Sequence, residues 1–133
     1  MRTKKMRRMA AVSGAMLVVI TAALAAQAPA ITRTVLQRGD ISRPGYEAVT
    51  AKAEFPTGGS TGKHTHPGDE VSYVLEGSIT LEITGAAAKT LKAGDSFIIP
   101  AGTVHNASAV GGKAVVIANY FVEKGKPLTS PAQ

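Results

Sequence analysis

Gly58-Gly59-Ser60-Thr61-Gly62-Lys63-His64-Thr65-His66-Pro67-Gly68-Asp69-Glu70, followed seven positions later by Gly77, is the stretch on which the fold turns. His64 and His66 stand two residues apart. In an extended chain, residues i and i+2 project on one face, so both imidazoles aim at a common point. Pro67-Gly68-Asp69 is a turn signal, and Glu70 then heads the next strand, from which a carboxylate reaches back to the spot the rings face. The third and last histidine, His105, follows a second turn, Pro100-Ala101-Gly102, and enters from a different strand. Three neutral imidazoles and one carboxylate form a mixed N/O donor set. Such a set suits a divalent first-row metal rather than calcium, which takes oxygens. A His-x-His pair by itself is more often two surface side chains, and a single Glu a solvated strand charge. The glycines and prolines around them are what favour a metal.

Outward from this stretch the apolar period is two. Tyr46, Ala48 and Thr50 alternate with Glu47, Val49 and Ala51, and Val71, Tyr73 and Leu75 with Ser72, Val74 and Glu76. Ile79, Leu81 and Ile83 alternate with Ser78, Thr80 and Glu82, the pattern of a strand with one wet face. Phe97-Ile98-Ile99 and Val115-Val116-Ile117 are solid apolar runs that predict strands buried on both faces. Turn signals separate these runs at intervals of roughly eight to twelve residues, which predicts an all-β sandwich or barrel. The segment after Glu123 reads as an extended or frayed tail.

The chain has 133 residues and a formal charge of +6, but five of its fifteen Lys+Arg lie within the first eight positions. All nine acids lie at or after Asp40, so beyond residue 28 ten basic residues face nine acidic ones and leave +1. The body is therefore not a basic nucleic-acid-binding domain. With no cysteine there is no disulfide framework, thiolate metal site or cysteine nucleophile. Arg2, Lys4, Lys5, Arg7 and Arg8 precede Ala10–Ala26, an uncharged stretch of 17 residues that ends in small side chains. A positive region, an apolar region and a small-x-small site are the parts of a secretory signal peptide, with cleavage expected after Ala25. Export to the periplasm or beyond is the expectation, with no membrane association once the leader is removed. An uncleaved anchor is the rival reading, but the stretch falls short of the roughly 20 apolar residues a spanning helix needs. The division expected is a leader over 1–28, a linker or N-terminal edge strand over 29–46, a barrel over 47–123 and a tail over 124–133.

Gly58, then His64-Thr65-His66, Glu70 and Gly77, resembles the first cupin motif at every defining position. Gly94, Pro100-Ala101-Gly102 and His105 resemble most of the second motif; Ala109 stands where that motif ends in Asn, and the nearest Asn is Asn106. The chain is similar to the small single-domain bacterial cupins, including the quercetin dioxygenase-like ones, over about Ala48–Glu123. The resemblance implies a double-stranded β-helix, or jelly-roll barrel, with metal ligands at His64, His66, Glu70 and His105. It leaves iron, manganese, nickel, copper or zinc open as the ion. Four ligands on an octahedral ion leave about two open positions. One carboxylate against a doubly charged ion leaves about +1, which favours an anionic or enolate-like ligand.

Two functions follow as expectations. One is a metal-dependent dioxygenase acting on a small enolisable substrate, with Glu70 as ligand and proton acceptor. The other is a non-catalytic module that binds or senses a small molecule or the metal itself. Tyr73, Phe97, Ile99 and Tyr120 are the candidate lining residues. A barrel this small needs extra burial, which together with the resemblance predicts a homodimer joined through edge residues such as Val35-Leu36.

Overall fold

The computed structural model describes residues 26–133. The expected leader over 1–28, with its signal-peptide helix, lies outside the described residues as far as residue 25; Ala26–Ala28 are exposed and belong to no helix or strand. The described chain is all β: β1 (Thr32–Asp40), β2 (Tyr46–Phe55), β3 (His64–Thr65), β4 (Asp69–Glu76), β5 (Ser78–Ile83), β6 (Lys89–Lys92), β7 (Ser96–Ile99), β8 (His105–Ala109), β9 (Ala114–Glu123) and β10 (Ser130–Pro131). They form two antiparallel five-stranded sheets, ordered β1-β2-β9-β4-β7 and β10-β3-β8-β5-β6. No helix among the described residues is long and apolar enough to cross a membrane.

The two ten-residue strands β2 and β9 pair along their whole length, from Tyr46↔Glu123 to Phe55↔Ala114. Their inward sets, Val49, Ala51, Ala53 and Phe55 with Ala114, Val116, Ala118, Tyr120 and Val122, are buried. Ile79 and Leu81 of β5 close the core from the opposite sheet, while Glu82 faces solvent, as the alternation predicts. The runs at Phe97 and Val115 behave differently from expectation. Ile98 is 64% exposed, while Val115 and Ile117 are only half-buried. Each sheet of an antiparallel sandwich has only one face on the core, so even a solid apolar run turns alternate residues outward.

Two glycines show why these positions lack side chains. Gly77 links β4 to β5 at φ +70°, and a Cβ there would collide with the Lys113 carbonyl oxygen. Gly58, at φ +73°, has open space around it, so conformation rather than crowding calls for glycine. The tail also departs from expectation: it is tied down. Ser130 and Pro131 pair with Thr65 and His64, and the Ala132 N–H donates to the Lys63 carbonyl at 3.0 Å.

Candidate metal centre

Each histidine reaches the same point from a different part of the second sheet. His64 is on β3, His66 follows it, and His105 begins β8 directly opposite His64. The Pro100–Thr103 turn is fastened to the first pair, because the Gly102 N–H donates to the His66 carbonyl at 2.9 Å. All three rings are buried, with centroids 4.2 to 5.1 Å apart, and their ligand atoms lie within 4.8 Å of one another.

Backbone carbonyls settle which nitrogen faces inward. Nδ1 of His64 meets the Gly62 oxygen at 2.8 Å, Nδ1 of His66 the Leu128 oxygen at 2.7 Å, and Nδ1 of His105 the Thr103 oxygen at 2.9 Å. A carbonyl only accepts, so each Nδ1 carries a hydrogen and each ring turns its Nε2, the atom free to ligate a metal, toward the others. Burial, the largest cause, lowers the His64 pKa from 6.5 to about 4, despite the opposing bond to Gly62. Its ring is therefore neutral at pH 7.

Glu70 comes from the other sheet. Its Oε2 lies 3.0 Å from His66 Nε2 and 3.3 Å from His105 Nε2, and its Oε1 accepts a 2.6 Å hydrogen bond from Ser72 Oγ. Burial pushes this carboxyl up, but hydrogen bonds from His105 and His66, wherever their Nε2 carries a proton in the metal-free protein, and from the Ser72 hydroxyl outweigh it and hold Glu70 well below the usual carboxylate range; a bound cation takes the place of that proton. The close approach of His66 is not a formed hydrogen bond: its Nε2 is buried without a partner. Lone pairs that face a carboxylate oxygen at such range repel unless a cation sits among them. The donor set therefore fits a metal ion, with the three histidines as its nitrogen ligands.

A narrow cavity of about 20 Å³ lies beside these groups, lined by Phe97, Leu81, Val116, Tyr120 and Arg33 among others. Of the four expected lining residues, Phe97 and Tyr120 line it and Ile99 is buried in the core behind. Tyr73 points outward and is 44% exposed. The strand's parity explains this, since Glu70, Ser72 and Val74 face inward and residues 71, 73 and 75 must face out. Tyr120 packs against His66 at 4.6 Å between centroids, and burial, then the Glu70 charge, pushes its pKa up to about 12.

Sequence reasoning missed Ser72, Arg33 and the Leu128 carbonyl. Ser72 was within reach of it, standing two residues from a proposed ligand on the same face. Asn106, alternating outward after His105, accepts from Ser60 at 2.8 Å and Thr61 at 3.1 Å and donates to Glu82 at 2.8 Å. It thereby braces the loop that carries the Gly62 carbonyl.

Residues 51–123 match the family model Cupin_2, the cupin domain. The chain belongs to the cupin family. This cupin is 40% identical to germin-like protein subfamily 2 member 2 of Arabidopsis thaliana over 70 residues, which cover 47% of the chain and 32% of that relative. It thus spans about a third of the curated germin-like relative's length. Among solved structures, a double-stranded β-helix protein from Klebsiella pneumoniae superposes with a TM-score of 0.63 at 20% identity, covering 77% of this cupin and 84% of that chain. A cupin domain from Bordetella pertussis Tohama I superposes with a TM-score of 0.57 at 25% identity, covering 73% and 98%. These likenesses agree with the jelly-roll architecture and carry no substrate with them.

Proposed function

We propose that this cupin is an exported metalloprotein that holds one divalent first-row ion on His64, His66, Glu70 and His105 and acts as a dioxygenase on a small enolisable molecule. The observation that carries the metal reading is the set of three Nδ1–H groups anchored on backbone carbonyls, which turns three Nε2 atoms toward one another, two of them, on His66 and His105, against one carboxylate oxygen of Glu70. A bound ion of this kind supplies Lewis acidity and open positions for substrate and dioxygen. The chain supplies the rest. Glu70 stays ionised in its buried seat and is placed to accept a substrate proton, with Ser72 holding its other oxygen. Tyr120 stays protonated beside it, and Phe97, Leu81 and Val116 exclude bulk water.

The second reading, a module that binds a small molecule without turnover, draws on the narrowness of the cavity and on its lining, which holds no other acid–base pair besides Glu70 and the histidines. Metal analysis and oxygen uptake separate the two. We expect about one ion per chain and oxygen consumption with a small enolisable diketone. Ligand-induced thermal shifts without turnover across that panel would favour the binding module. Unchanged metal content in both His66→Ala and His105→Ala would overturn the site.

Homodimerisation belongs to the same proposal. Val35 and Leu36 on the edge strand β1, and Val71, Tyr73, Leu75, Ile98 and Phe121 on the same sheet, are exposed apolar side chains. Sheet faces of this kind are usually covered by a partner. Sedimentation as a pure monomer at micromolar concentration would count against it.

A further inference from the structure

The edge strand β1 brings one more charged group to the metal centre. Arg33 pairs with Ala53, and residues directly opposite in an antiparallel ladder project to the same face, so Arg33 shares the buried side of β2. Ala53 and Ala118 are small, and the space beside them is lined by Arg33 together with His64, Glu70, His105 and Tyr120. Among the described residues the Arg33 side chain makes no ion pair; its Nη1 donates a long 3.4 Å hydrogen bond to Thr129 Oγ1, and the guanidinium also interacts with the Tyr120 hydroxyl. Its Nε is buried without a partner. Burial dominates the shifts of His64 and Tyr120, yet the Arg33 charge acts on both groups, adding to the first and opposing the second.

A guanidinium is always charged, and an unanswered buried N–H is costly, so this arrangement asks for an acceptor. We propose that the cavity takes a small carboxylate, gripped by Arg33 at its carboxyl end. The inference rests on the metal reading above for the ligand's other end and on Arg33 alone for the carboxylate end. The Nε–H and a neighbouring Nη–H form a fork whose spacing matches the two oxygens of a carboxylate. Charge agrees. With neutral histidines, an ionised Glu70, a doubly charged ion and Arg33 sum to about +2 inside a largely apolar cup, which an organic anion offsets and a neutral molecule does not. Size limits the candidates: about 20 Å³ of free space holds about one water, so only the smallest carboxylates, such as a two-carbon 2-hydroxy or 2-oxo acid, enter, and only as the Arg33 side chain gives way.

The test titrates the full chain, zinc-loaded and metal-free, with glycolate and with its uncharged isostere glycolamide, by isothermal titration calorimetry. In both forms glycolate should bind at least about tenfold tighter than glycolamide, and Arg33→Met should abolish that preference in the metal-free form and weaken it in the loaded one. Arg33→Lys, which keeps the charge but loses the fork, should retain only part of it. Should Arg33→Met fold poorly, the same question is answered in the wild-type chain by NMR, where glycolate but not glycolamide should shift the arginine Nε–H signal that Arg33→Lys removes. Equal affinity for the two ligands in the metal-free wild-type chain, or an unmoved Arg33 signal, overturns the inference. Absence of zinc binding would instead sink the metal reading, leaving the metal-free preference to stand or fall on Arg33.

Discussion

Between pH 7 and pH 5 the metal-free protein should lose stability, and His64 should account for most of the loss. Its pKa drops from 6.5 to about 4 on folding, chiefly because its ring is buried and only 4% exposed. The unfolded chain therefore binds this proton more readily than the native one. The stabilisation is complete above about pH 6.5 and is lost as pH falls toward 4. Integrating the linkage for one such site gives a loss of about 2 kcal/mol from pH 7 to pH 5. Glu70 acts in the same direction, since its carboxyl is held low in the native state, but in that window it adds only a few tenths of a kcal/mol because an unfolded glutamate is still mostly ionised at pH 5. The assay is urea unfolding of chelator-treated protein at several pH values, wild type beside His64→Asn. Asparagine keeps a donor for the Gly62 carbonyl and does not titrate. The wild-type profile should fall more steeply by about 2 kcal/mol; for a domain of this size that corresponds to a Tm lower by roughly 8–15 °C. Parallel profiles for the two proteins would refute the burial argument for His64.

Ser72→Ala removes the 2.6 Å hydrogen bond to Glu70 Oε1 and leaves a buried carboxylate with one fewer partner. Denaturant unfolding should show a loss of about 1–3 kcal/mol, and metal affinity by chelator competition should weaken about tenfold or more. Gly77→Ala forces a Cβ against the Lys113 carbonyl at a positive φ, so it should destabilise by about 3 kcal/mol, whereas Gly59→Ala, which meets mainly Pro56, should cost less. Truncation after Glu123 takes away the Leu128 carbonyl that orients His66 and the pairing of Ser130 and Pro131 with β3. Metal affinity in the truncated chain should drop about tenfold, and an unchanged value would mean that the tail does not orient the ring.

The period-two runs and the turn residues between them were enough to read an all-β barrel, because each depends only on near neighbours along the chain. The same held for the histidines: His64 and His66 share a face by spacing alone, and the turn at Pro100–Gly102 brings in His105. The parity of β4 was legible too, since placing Glu70 inward already turns Ser72 in and Tyr73 out. What local pattern could not tell was which distant groups complete the site. Ile98 reads as buried because its neighbours are apolar, yet the sheet has only one covered face and leaves it outside. Arg33 looks like an ordinary edge-strand cation, and the tail looks frayed. Only closure of the barrel puts Arg33 beside Tyr120 and hands the Leu128 carbonyl to His66 across 62 positions. Periodicity records the face a residue presents, but it carries no information about the register and closure that decide what lies opposite it.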